Sequence, residues 1–332
     1  MKVTIRDVAR HAGVSVATVS RYLNNSPLIA PASVEKVQRS IRELDYQPSM
    51  AARSMVRGGT NTVALAVDYS NTETYGDEFF LRIQYGLEYG LAERGFYLMI
   101  VNVGGGDAAE VLRKLTGEGR VDGLVFLSEL AHAGLTELLT ESGLPFVAAG
   151  KMDGGEISWV DIDNAQGGAL AARRLISGGA RRVGYLGNSF GKTFVSERAN
   201  GCRAALRETG CQVDEKDFAD GLESVEEFER YFSSRLDSLC DGYVISDSTL
   251  CFNALRALRH LNVPVPERVG VVTFDNQRIS ELSEPPMTVV DTGVAKIGEK
   301  AAEILVRQIR GELDEPERCL LSVELIERGS AR

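Results

Sequence analysis

No apolar run in this chain approaches the roughly 18 residues that a membrane-spanning helix needs. Cysteine is scarce. The five present, Cys202, Cys211, Cys240, Cys251 and Cys319, are odd in number and form no C-x-x-C pair, which excludes a disulfide framework and predicts buried free thiols in a reducing compartment. Histidine is limited to His11, His132 and His260, with no Cys or carboxylate at ligand spacing beside the latter two. No zinc motif or nucleophile elbow occurs, so neither metal nor cofactor is expected. Where a signal peptide would place its apolar stretch the chain carries Arg6, Asp7 and Arg10, which predicts a cytoplasmic protein.

Phosphate-binding loops are missing as well. Gly187-Asn188-Ser189-Phe190-Gly191-Lys192-Thr193 follows an apolar run, but it is one residue short of the required spacing. Leu186 stands where the first glycine must be, and its side chain would keep backbone amides off a phosphate. Gly104-Gly105-Gly106 lacks the G-x-G-x-x-G spacing and reads as a turn. An enzyme is therefore not expected.

What is present is a 332-residue chain, too long for one ordinary core, with a net charge of −10. The charge is unevenly spread. Residues 1–58 hold nine Lys/Arg against four acids, a balance of +5, and the remainder holds 28 against 43, a balance of −15. A basic segment on an acidic body is the electrostatic footprint of a nucleic-acid contact confined to the N-terminus, unless it is a chance imbalance.

That basic segment reads as three short helices. Thr4 with Asp7 forms a capping-box pattern ahead of Ile5, Val8 and Ala9. Gly13 suits a left-handed turn. Ser15 then caps a second helix whose inward stripe is Val19, Tyr22 and Leu23 and whose outward residues are Val16, Ala17 and Arg21. A third helix starts at Pro31 and runs to about Asp45, with Val34, Val37, Ile41 and Leu44 on one face and the poor capping residue Ala30 before it. Helix, glycine turn, helix is the arrangement that sets its second helix into the DNA major groove. Small Val16 and Ala17 let the helix approach base edges, and Arg21 can fork onto guanine. Thr4, Ser15, Thr18, Ser20 and Asn24 are donors suited to phosphates. The competing reading is a helical hairpin whose hydroxyls are only caps. Met50–Met55, before Gly58-Gly59, is too short to be helical alone. It reads either as a hinge with Met55 as a minor-groove wedge or as a plain linker.

The runs Val3-Thr4-Ile5-Arg6-Asp7-Val8-Ala9, Ala12 to Arg21 and Tyr46-Gln47-Pro48-Ser49 resemble the headpiece of the lactose-repressor/galactose-repressor (LacI/GalR) family of transcriptional regulators. The resemblance continues through Val160–Asn164, Ser196–Gly201, Val271–Asn276 and Pro285–Thr288, and so covers essentially the whole chain. It implies a homodimer on a near-palindromic double-stranded operator, with Val16, Ala17 and Arg21 reading bases and Tyr46 joining the phosphate contacts. Hinge helices would meet in the minor groove through Ala52 and Met55, where the family usually has leucine at the latter position. Repression is the implied outcome.

Beyond Gly59, apolar β runs alternate with amphipathic helices, the pattern of a parallel α/β fold. Val63–Val67, Tyr97–Val103, Leu124–Leu127 and Phe146–Ala149 read as buried strands, followed by Arg182–Gly187, Gly242–Ser246 and Val269–Phe274. Two lobes of about 130 residues each fit ordinary domain sizes, with crossings near residues 161 and 290. The expected organisation is an all-α helix-turn-helix headpiece (1–46), a hinge helix and linker (47–60) and an α/β bilobed effector and dimerisation domain with parallel sheets (61–332). Its first lobe would be about 61–160 and 290–325, its second about 161–289. The resemblance implies the type I periplasmic-binding-protein-like architecture, with a small-molecule effector between the lobes. Ligands meet such sheets at the strands' carboxyl ends, which selects Asp68, Tyr75 and Phe79 in the first lobe and Phe190, Arg198, Asp247 and Asp275 in the second. Arg198 matches the family's effector-contacting arginine. Carboxylates, a guanidinium and aromatic rings favour a sugar or nucleoside, although each ring is equally readable as core.

A solute-binding protein of a transport system shares the bilobed sensor but has no headpiece and needs export. An α/β nucleotide-binding enzyme would need the phosphate loop that is missing. No C-terminal heptad follows Leu325, so a helical tetramerisation tail is not expected.

Overall fold

The computed structural model describes residues 3–23, 28–46, 59–69, 78–104, 108–131, 135–152 and 154–332. The chain divides into two compact units, residues 1–61 with 119–121, and the remainder.

In the first unit α1 (Ile5–Ala12), α2 (Val16–Leu23) and α3 (Pro31–Glu43) surround a small core. Gly13 takes φ +61° to end α1, the left-handed geometry that a side chain would oppose. Val8, Ala9, Ala12, Val19 and Val37 form the core, with Tyr22, Leu23, Ile41 and Leu44 around it. Ala30 provides no side-chain cap; its carbonyl accepts from Ser33 and Val34. Sequence periodicity did not identify the polar tie between α1 and α3. His11 Nδ1 lies 3.0 Å from the hydroxyl of buried Ser40, which itself donates to the Lys36 carbonyl at 2.9 Å.

The second unit contains two six-stranded sheets. In chain order its elements are β1 (Thr62–Val67), α4 (Glu78–Ala92), β2 (Tyr97–Asn102), α5 (Ala108–Gly117), β3 (Gly123–Leu127), α6 (Leu135–Ser142), β4 (Phe146–Ala149) and β5 (Ser158–Ile162). Then follow α7 (Asn164–Ser177), β6 (Val183–Leu186), α8 (Thr193–Glu208), β7 (Phe218–Ala219), α9 (Val225–Ser233), β8 (Gly242–Ile245) and α10 (Ser248–His260). The last are β9 (Gly270–Phe274), α11 (Arg278–Leu282), β10 (Thr288–Asp291), α12 (Val294–Ile309), β11 (Arg318–Leu321) and β12 (Glu324–Ile326). Strand order is β11-β5-β4-β3-β1-β2 in the first sheet and β12-β10-β9-β8-β6-β7 in the second. Every pairing is parallel except β10 with β12.

The chain passes between sheets after β5, after β10, and again between β11 and β12. The third passage corrects the expectation that residues up to 325 stay in the first lobe: β12 pairs with β10 of the second. Three residues are too few to show a period in sequence. A second correction concerns β2. Its apolar run is not buried but forms the sheet edge, with Tyr97 65% and Ile100 41% exposed.

Two glycines set α8 against α7. A Cβ on Gly168 would lie 1.9 Å from the Arg198 carbonyl oxygen, and one on Gly201 would lie 1.9 Å from that of Ala165. Backbone therefore touches backbone, and α8 is held where Arg198 must point.

All five cysteines are free. Cys202, Cys240 and Cys251 are buried as expected, whereas Cys211 and Cys319 are only half-buried. Burial pushes the Cys202 and Cys240 thiols up to about 12, so neither is a thiolate at neutral pH. Among the described residues no helix is long and apolar enough to cross a membrane.

Candidate functional site

Two groups of side chains stand out, one in each unit. In the first, Val19 is fully buried while Val16, at 42%, Ala17 and Arg21 are exposed on the other side of α2. Arg6, Arg10, Lys36, Arg39 and Arg42 are exposed as well, so the described basic residues of this unit lie on the surface. Three hydroxyls expected at phosphates are already used as local caps. Thr4 donates through its amide (3.0 Å) and its hydroxyl (2.6 Å) to Asp7, which holds that carboxyl below its ordinary range. Ser15 Oγ accepts from the Thr18 amide at 3.1 Å and lies 2.9 Å from the Thr18 hydroxyl. Ser20 is half-buried. Tyr46 is 7% exposed and packs into the headpiece core, so its ring supports the fold whatever its hydroxyl meets. Asn24, Ala52 and Met55 lie outside the described residues.

The second group gathers at the carboxyl ends of β5, β6, β8 and β9. Arg198, on the second turn of α8, is 2% exposed. Its Nε donates to Asn164 Oδ1 at 2.9 Å and one terminal nitrogen to the Ser246 carbonyl at 2.5 Å. The other terminal nitrogen stands 3.9 Å from Asp275 Oδ1. The Phe274 and Phe194 ring centroids lie 4.1 and 5.1 Å from the guanidinium carbon, a cation–π setting that fixes its plane. Asp275 has φ +64°, a left-handed conformation that few side chains other than Asp and Asn tolerate. It is secured there because its carbonyl accepts from Ser248 Oγ at 2.5 Å and its Oδ1 from Thr292 at 2.8 Å. Asp247 caps α10 by accepting from the Leu250 amide at 2.9 Å, and it also accepts from Ser246 Oγ at 3.2 Å. Burial pushes the Asp247 carboxyl up, against the pull of its hydrogen bonds and of Arg198.

Of the residues selected from sequence, Arg198, Asp247 and Asp275 are thus brought together through Ser246 and the ion pair. Phe190 stacks on Tyr185, with ring centroids 6.1 Å apart, and receives Arg203 at 5.9 Å. Phe79 is half-buried against the core, and Asp68 is half-buried directly after β1. Tyr75 lies outside the described residues. Asn164, Phe194 and Asp161 were missed. Asn164 and Asp161 lie in the Val160–Asn164 run that carries the family resemblance, and Phe194 directly follows the failed phosphate loop. Asp161 accepts the Lys151 amide at 2.9 Å and the Ile162 amide at 2.7 Å, and burial pushes its carboxyl up. The Lys151 ammonium meets Glu197 Oε1 at 2.5 Å, an ion pair that joins the lobes. Among the described residues no group of three or more His, Cys, Asp or Glu could hold a metal ion. His260, which has no carboxylate at ligand spacing in sequence, pairs in the fold with Glu229 of α9.

Comparison with known proteins covers both units. Residues 4–49 match the model for bacterial regulatory proteins of the lacI family, and residues 172–331 match the periplasmic binding protein-like domain. The HTH-type transcriptional regulator CelR of Thermobifida fusca is 36% identical, over 98% of each chain. The HTH-type transcriptional repressor PurR of Vibrio atlanticus is 32% identical over 99% of this chain and 98% of its own. A CelR–cellobiose complex superposes with a TM-score of 0.75 at 34% identity, covering 99% of this chain and 100% of its own. The lac repressor dimer bound to operator and an anti-inducer shares the fold at a TM-score of 0.81 and 19% identity, over 99% of each chain. With an N-terminal helix-turn-helix and a bilobed parallel α/β body matched along their full length, this chain belongs to the lacI family of bacterial transcriptional regulators.

Proposed function

We propose that this regulator is a cytoplasmic homodimeric repressor whose grip on a near-palindromic operator is set by a neutral, hydroxyl-rich small molecule, a saccharide, in the interlobe cleft. Residues 1–46 read DNA, 47–60 act as the hinge and 61–332 sense the effector and dimerise. Val16, Ala17 and Arg21 face bases. The observation that carries the effector class is buried Arg198 and Asp275 with half-buried Asp247, beside half-exposed Phe194. One guanidinium stands among three carboxyls, since Asp161 also feels Arg198. An anionic effector would meet net repulsion there, whereas a hydroxyl can donate to a carboxylate and accept from an N–H at once. A ring platform beside such groups suits a pyranose face. The cellobiose bound by the CelR relative makes that disaccharide the first probe.

Dimerisation has a surface to use. Leu81 (50%), Tyr85 (63%) and Tyr89 (49%) recur every four residues on α4 and are exposed, as are Tyr97 and Ile100 on edge strand β2. Such apolar exposure in two neighbouring elements marks an association surface. The transport reading has no use for the headpiece.

Cellobiose titration by calorimetry tests the effector class. Binding is expected, and it should release protons. The sign follows from burial: free Asp247 and Asp161 keep their protons to a higher pH than ordinary carboxyls, and hydroxyl donors favour the ionised form. Affinity should therefore be full above the raised values and fall as pH drops through them toward about 4. Proton uptake, or no dependence between about pH 4 and 7, would mean that hydroxyls do not reach these carboxylates.

A further inference from the structure

One side chain of the first lobe holds the turn that carries Asp275. Arg82, on α4, donates through Nη2 to the backbone carbonyl of Asn276 at 2.7 Å, although 194 positions separate them in sequence. The same guanidinium is braced by Glu78 one helical turn earlier, through Nε at 2.9 Å and Nη2 at 2.5 Å. Glu78 completes the bracket, because its second oxygen accepts the Arg278 amide at 3.2 Å. On its own side the turn is anchored: Arg328 donates to Asn276 Oδ1 at 2.7 Å, and Asn276 Nδ2 reaches Asp291 at 3.3 Å. The peptide oxygen that Arg82 grips thus belongs to the residue immediately after the left-handed Asp275.

We infer that Arg82 is a positioning residue that couples the effector site to the first lobe, by holding the Asn276 carbonyl while Glu78 holds the Arg278 amide. The inference rests on reading the cleft as the effector site. A ligand hydroxyl that engages Asp275 pulls on a rigidly seated turn, and this bracket ties that turn to α4 of the first lobe. Movement then reaches α4, whose Ile83, Leu87 and Leu91 share a core with Ile297 and Ala301 of α12. It is also the helix that presents Leu81, Tyr85 and Tyr89 outward. Neither Arg82 nor Glu78 need touch the ligand. Coupling of this kind is a property of the pair of lobes, and it is reciprocal between DNA and effector.

The test uses the full chain with Arg82→Met, which keeps the aliphatic stem and removes the fork, and Glu78→Gln, which keeps the shape and removes the charge. Operator affinity is measured with and without saturating cellobiose. Cellobiose affinity is measured on the DNA-free protein. Hydrogen exchange is followed in peptides covering residues 276–282. In R82M the cellobiose-dependent change in operator affinity is expected to shrink by at least about fivefold, while cellobiose affinity of the DNA-free protein stays within about threefold. Amides at 276–280 should exchange faster, and E78Q should move in the same direction by less. An unchanged cellobiose effect in R82M overturns the inference, as does an equal loss of cellobiose binding, which would mark Arg82 as structural. Should R82M fail to fold, E78Q is judged by the same criteria. If the parent shows no response to cellobiose, the effector class is wrong and exchange alone decides: faster exchange at 276–280 supports the bracket, and unchanged exchange sinks it.

Discussion

Replacing Arg198 with alanine is expected to abolish effector binding and to lower the stability of the sensor by about 3–5 kcal/mol, the range found when one partner of a buried pair is removed. The two losses have a common cause. The guanidinium is 2% exposed and supplies hydrogen bonds to Asn164 and to the Ser246 carbonyl. Without it those acceptors lose their donors, and Asp275, 6% exposed, faces Asp247 without a nearby cation. Arg198→Lys separates the effects. An ammonium restores charge near Asp275 but cannot donate in two directions from one plane. The lysine variant should therefore recover much of the stability in urea denaturation while effector affinity stays at least about tenfold weaker. An alanine variant that still binds effector normally would remove Arg198 from the site.

Arg21→Ala should weaken operator binding by about 1–3 kcal/mol and relax preference at one base pair in each half-site. The headpiece core is expected to be indifferent, since Arg21 is exposed and Val19 carries the packing of α2. The pattern of loss matters more than its size. A base-reading arginine discriminates among sequences, whereas a phosphate anchor weakens all of them alike and reduces the salt slope by about one. Competition between operator variants at several salt concentrations distinguishes the two. Uniform weakening would reassign Arg21 to the backbone.

The headpiece was legible because short helices of opposite faces leave periodic traces: Val8, Ala9, Val19 and Val37 are inside where the spacing put them. The α/β alternation was legible for the same reason. Failures occurred where the deciding contact is remote or the segment short. An apolar run such as Tyr97–Val103 looks the same whether a sheet neighbour covers it or nothing in the chain does, and only the strand order makes it an edge. Strand β12 is three residues long, below any period. In the second lobe, Asp247 and Asp275 are selectable from sequence because they follow strands, and the structure places them around Arg198. Phe194 and Asn164 are not selectable that way, because their contact with Arg198 depends on where Arg198 folds back, 34 residues from Asn164. The Arg82–Asn276 bracket spans 194 residues, and nothing local announces it.

The most direct measurement is nuclease protection of genomic fragments by the purified chain at moderate ionic strength, with and without cellobiose. The account predicts a discrete, near-palindromic protected segment whose occupancy cellobiose changes and whose boundaries blur with the Arg21 variant. Diffuse or absent protection under every condition would contradict it, leaving a folded sensor with nothing to control.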